Sequence, residues 1–127
     1  MPSILQIHHV DIIIPRGAEA AAREFYCDIL GLQETEKPPS LLNNGGLWLE
    51  VAGSQVHLSI QDGYDPRQTK AHIAYLVSDL QALRTKLERQ RIMINENSPI
   101  PGFKRFDIRD PFGNRIEFLE RMAESIL

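Results

Sequence analysis

The chain has 127 residues, enough for one ordinary domain with a real core and no need of covalent staples. A hydrophobic share of 43% and a charged share of 24% are those of a soluble globular protein, and a formal charge of −3 speaks against nucleic acid, which selects basic surfaces. No apolar run approaches the roughly 18 residues of a membrane span, and the opening MPSILQIHH lacks a signal-peptide pattern. The lone Cys27 can form no internal disulfide, which fits a reducing cytoplasm, and it reads as a small packed residue of a helix.

The segment Ile7–Ile14 is rich in β-branched residues and runs into Pro15-Arg16-Gly17, which predicts a strand and a break. A helix follows, because Ala18, Ala21, Ala22, Phe25, Tyr26 and Ile29 recur at three- and four-residue spacing and Gly31 can end it. Leu32–Glu36 reads as a short strand and Lys37–Gly46 as a turn-rich loop. Leu47–Val51 and Gln55–Ile60 form a hairpin around Ala52-Gly53-Ser54, and the polar stretch Gln61–Lys70 reads as a linker.

The same order then returns. Ala71–Val77 is a strand, and Ser78 with Gln81 resembles a capping box opening a helix that aligns Leu80, Leu83 and Leu87. Arg91–Asn95 is a short strand and Ser98–Gly102 a loop. Arg105–Arg109 and Arg115–Leu119 flank the turn signal Asp110-Pro111-Phe112-Gly113-Asn114. Glu120–Leu127 reads as a short helix or a frayed tail. The twofold strand–helix–strand–strand–strand pattern predicts an α+β domain of two βαβββ modules, about 5–61 and 70–120, with a linker at about 61–70. Each module would curl its sheet around one side of a shared cleft.

All four histidines fall in predicted strands, and strand alternation sorts their faces. His9 shares a face with Ile7, Asp11 and Ile13, His57 with Gln55 and Ser59, His72 with Ala74 and Leu76, and Glu117 with Arg115 and Leu119. In each case an apolar set faces the other way, and the helices can pack there. His8 takes the face opposite His9 and reads as a structural or edge histidine. His72 follows His9 by 63 positions, each in the opening strand of its module, and Glu117 follows His57 by 60, each in a closing strand. Two symmetry-related pairs would converge on one site. Three neutral imidazoles and a carboxylate suit a divalent ion such as Zn, Fe, Ni, Co or Mn, and Glu117 buried without a metal would need another partner for its charge.

At these residues the chain resembles the vicinal oxygen chelate superfamily of glyoxalases, bleomycin-resistance proteins and extradiol dioxygenases. The resemblance is carried by His9-Val10-x-Ile12, Phe25-Tyr26-x-x-Ile29-Leu30-Gly31-Leu32, His72-Ile73-Ala74 and Asp110-Pro111-x-Gly113-Asn114-x-Ile116-Glu117. It covers essentially the whole length and implies paired βαβββ modules. Their eight strands would form a curled, mostly antiparallel sheet around a cleft, with the helices outside. It also implies a homodimer with a small-molecule substrate, and metal ligands at His9, His57, His72 and Glu117. The family is divided at the position of His57. That residue is a fourth ligand, or a group that supports the ligands or contacts substrate.

The function this implies is a metal-dependent lyase, isomerase or epimerase of the glyoxalase type, acting on a small oxygen-chelating substrate through an enediolate or oxyanion. Glu117 would shuttle the proton. Arg105, Arg109 and Asp11 are the candidates for contacting substrate, the two arginines through an anionic group. Two other readings stand beside it: a non-haem iron dioxygenase, whose ring-cleaving members are about twice as long, and a drug-binding resistance protein without catalysis, whose members generally lack the metal residues.

Overall fold

The computed structural model describes residues 2–123. The chain divides into two compact units, Met1–Tyr64 and Asp65–Leu127, each a βαβββ module. The α+β class and the twin modules follow the sequence pattern, with the eight strands hydrogen-bonded as two four-stranded mixed sheets.

In the first unit the strands are β1 (His9–Ile14), β2 (Gln33–Thr35), β3 (Leu47–Val51) and β4 (Ser54–Ile60), in the order β1-β4-β3-β2. β1 runs parallel to β4 and the other pairs are antiparallel. The helix α1 (Glu19–Arg23) continues as a wider π-helical stretch over Glu24–Ile29. Gly31, at a φ of +78°, turns the chain so that the Leu32 N–H returns to the Tyr26 carbonyl at 2.9 Å, which supplies the helix stop. Ile14, Leu47, Leu49, Val56 and Leu58 pack with Ala22, Phe25 and Tyr26 into a buried core on one face of the sheet. The polar residues of the same strands are thereby confined to the other face. Truncating one of these large side chains to Ala would cost about 2–5 kcal/mol.

The second unit repeats this with β5 (His72–Leu76), α2 (Leu80–Arg89), β6 (Asn95–Glu96), β7 (Phe103–Arg109) and β8 (Arg115–Arg121), in the order β5-β8-β7-β6. β5 is parallel to β8. Leu80, Leu87, Phe106, Ile108, Ile116 and Phe118 form its core. The turn between β7 and β8 is built by Asp110. Its Oδ1 accepts the N–H groups of Phe112 and Asn114, both at 2.8 Å, and its Oδ2 accepts the Asn114 side-chain amide at 2.9 Å.

Several boundaries differ from expectation. Ile7 and His8 precede β1. The loop over Lys37–Gly46 contains a 3-10 turn, Pro39–Asn44. The cap of α2 is Asp79, whose carboxylate accepts the Ala82 N–H at 2.9 Å, so the helix starts one residue later than the Ser78 pattern predicts. Arg91, at a φ of +59°, belongs to the turn that closes α2, which pushes the short strand to Asn95–Glu96. Glu120 and Arg121 extend β8, opposite Lys104 and Phe103, rather than entering a helix or a frayed tail. The rest of that expected tail, 124–127, lies outside the described residues.

Candidate functional site

In the first unit the predicted parity holds, and it brings His9 and His57 together. The His57 ring stacks on His9 with centroids 4.2 Å apart and planes 12° from parallel, and on Trp48 at 4.1 Å and 2°. Because β4 lies between β1 and β3, the buried imidazole sits between the two aromatic neighbours. Its Nε2 is 2.8 Å from the Gln55 carboxamide oxygen, which only accepts, so Nε2 carries the hydrogen and the Nδ1 lone pair is left for a ligand. Burial, then the neighbouring His9, lowers the His57 pKa below the ordinary value of 6.5, against the raising influence of Asp11. Asp11 pairs with His57 in the β1–β4 register and is exposed. His8 is not turned away as strand alternation would place it. It precedes β1, and its Nδ1 lies 3.0 Å from His9 Nδ1.

In the second unit His72 and Glu117 occupy the corresponding positions. The His72 Nδ1 is 2.9 Å from the Lys70 carbonyl, which fixes the hydrogen on Nδ1 of the neutral ring and points the Nε2 lone pair at Glu117 Oε1, 3.4 Å away. Two acceptor atoms facing each other at that distance, with one imidazole oriented by a backbone carbonyl, fit a cation between them. Glu117 is 6% exposed, and the partner its charge needs is present: Arg105 Nη1 also stands 3.4 Å from Oε1. Arg105 further donates to the Ser98 carbonyl at 2.8 Å. Arg109 donates to the Gly113 carbonyl at 3.0 Å. Of the residues expected to contact substrate, Arg105 is thus a neighbour of Glu117 and Asp11 the register partner of His57, while Arg109 is turned to the Gly113 carbonyl. Within each unit, among the described residues, the metal candidates come in pairs, with no third His, Cys, Asp or Glu completing a group.

Three participants were not singled out in the sequence. Trp48 shares the polar face with His57 only through the β3–β4 register, which alternation within one strand does not reveal. Lys70 orients His72 through its backbone. Asp107, directly across from Glu117 in the β7–β8 register, is buried. Burial pushes its carboxyl up, but hydrogen bonds from Asn97, Arg115 and Asn95 hold it below the usual value.

These paired modules, with a histidine opening each and a ligand-type side chain closing each, have a family. The chain belongs to the Glyoxalase/Bleomycin resistance protein/Dioxygenase superfamily, whose model matches residues 6–118. Among solved structures it is similar to a Bacillus anthracis protein described as of the glyoxalase family, at 34% identity over 96% of this chain and 99% of that one, with a TM-score of 0.90. Two more distant structures share the fold. A genomically encoded fosfomycin resistance protein, FosX, from Listeria monocytogenes has 15% identity, 97% of each chain covered and a TM-score of 0.72. An antibiotic-binding protein from a Streptomyces species has 16% identity, 96% of this chain and all of that one covered, and a TM-score of 0.70. No curated protein matches the chain at a significant level. Among the described residues no helix is long and apolar enough to cross a membrane.

Proposed function

We propose that the chain is a divalent-metal-dependent enzyme of the glyoxalase type, a lyase, isomerase or epimerase acting on a small substrate that presents two neighbouring oxygens. His9, His72 and Glu117 are its ligands and His57 a fourth. The observation that carries this reading is the His72–Glu117 pair, an oriented imidazole and a buried carboxylate whose acceptor atoms face each other at 3.4 Å. The stacked His9–His57 pair occupies the matching strands of the other module.

A divalent ion held there supplies Lewis-acid polarisation of a substrate oxygen. The protein's own groups do the rest. Glu117 is the carboxylate that takes and returns a proton at a carbon next to the substrate's carbonyl. Arg105 holds the charge of that carboxylate in its buried position. The Lys70 carbonyl keeps His72 in one tautomer. A homodimer in a reducing cytoplasm is the setting that the family resemblance and the lone Cys27 support.

The test is solvent-deuterium exchange, followed by NMR, at carbons next to the carbonyl in a panel of small hydroxycarbonyl compounds. Exchange that requires an added divalent metal and falls at least about 100-fold in Glu117→Gln supports the reading. Exchange that survives the substitution excludes Glu117 as the base, and exchange that ignores the metal excludes a metal-dependent reaction.

A further inference from the structure

The polar face of the second unit carries a feature that the metal reading does not use. A cavity of about 780 Å³ is lined by Arg67, Lys70, Arg109 and Arg115, with Asp107 as its one carboxylate and Met93 on its apolar part. Four basic residues and one acidic residue therefore line the cavity, in a chain whose overall charge is −3. Asp107 is already engaged by Arg115 at 2.8 Å and by the side-chain amides of Asn95 and Asn97. Arg67 reaches Asp65 at 3.9 Å and donates to the Phe112 carbonyl at 3.4 Å, Arg109 spends one N–H on the Gly113 carbonyl, and the Lys70 ammonium is in no ion pair among the described residues. Basic side chains gathered at one cavity give it a positive local potential that favours entry of an anion.

We propose that this cavity is an anion-binding site that takes a compact phosphate or carboxylate group. Guanidinium groups match either oxyanion through paired N–H donors, and Lys70 adds a point charge that can follow the ligand. The cavity's size leaves room for a body attached to the anionic head. Arg115 and Glu117 share one face of β8, two residues apart and so roughly 7 Å along the strand. The anion is therefore the end of the substrate whose other end reaches Glu117. That last step rests on the proposed function; the anion site itself does not.

Calorimetric titration of chelator-treated protein separates the two. With metal removed, inorganic phosphate and malonate are each titrated at constant ionic strength. Binding of either is expected, weakened at least about tenfold in the double variant Lys70→Gln/Arg109→Gln and about threefold in Lys70→Gln alone, which leaves the backbone carbonyl in place. Arg16→Gln, a change at an exposed ion pair of the first unit, should leave it unaltered. Tighter phosphate assigns a phosphoryl group to the ligand, and tighter malonate a carboxylate. No binding of either anion, or binding equal in the native and double-variant proteins, overturns the site. If phosphate binds as expected while Glu117→Gln leaves metal affinity unchanged, the metal reading fails and the anion site stands. Metal binding without anion binding leaves the metal reading standing and overturns the anion site.

Discussion

His72 Nε2 stands 3.4 Å from Glu117 Oε1, and the same carboxylate oxygen is 3.4 Å from Arg105 Nη1. A buried carboxylate is thus shared between a ligand-type imidazole and a permanent cation. With Arg105 only 23% exposed and Glu117 only 7%, the pair is shielded enough for its loss to matter. Arg105→Gln should lower unfolding stability by about 1–2 kcal/mol. Saturating divalent metal should restore more of that loss than it adds to the native protein, because a second cation then serves the carboxylate. Denaturant titrations with and without metal check both statements.

The stack of Trp48 on His57 makes the only tryptophan a reporter of that imidazole. Burial and the adjacent His9 lower the His57 pKa, so the ring is neutral at pH 7 and the Trp48 emission change on acidification should be centred below pH 6.5. His57→Ala should abolish that transition. If His57 is a ligand, the same variant also removes the emission change caused by added metal. A metal-induced change that persists in His57→Ala would place His57 outside the ligand set.

Asp107 predicts an acid limb of stability. Its folded-state pKa lies below its ordinary value, so its contribution is complete above about pH 5 and is lost as pH falls through the folded value. The stability difference between the native protein and Asp107→Asn should be constant above about pH 5 and shrink below about pH 4. Urea melts across that range measure it, and a difference that grows toward low pH would contradict the assignment.

Tyr75 predicts the opposite limb. Burial, with the nearby Asp110 charge, pushes its phenol up to about 12. A raised folded-state value means that its contribution is complete below about pH 10 and is lost as pH rises through about 12. Ultraviolet titration should show one phenol ionising near 12, absent in Tyr75→Phe.

The modules were legible because their signals are local. Alternation places His9, His57, His72 and Glu117 opposite the apolar sets, and the Asp110-to-Asn114 motif is a turn whose bonds all lie within five residues. What escaped depends on register or on a single cap atom. Trp48 meets His57, and Asp107 faces Glu117, only once neighbouring strands are aligned. Ser78 and Asp79 are adjacent cap formers, and Asp79 is the one that reaches the Ala82 N–H. Arg105 and Arg109 share a parity, so alternation could not say that one would serve Glu117 and the other the Gly113 carbonyl.

The most direct test of the central claim is metal titration of chelator-stripped protein with Zn, Ni, Co, Mn and Fe(II), in the native chain and in His9→Ala, His72→Ala and Glu117→Gln. One ion per chain is expected for the native protein, with a loss of affinity of at least about 100-fold in each variant. Absence of stoichiometric binding by the native protein, or native affinity retained in Glu117→Gln and His72→Ala, would contradict it.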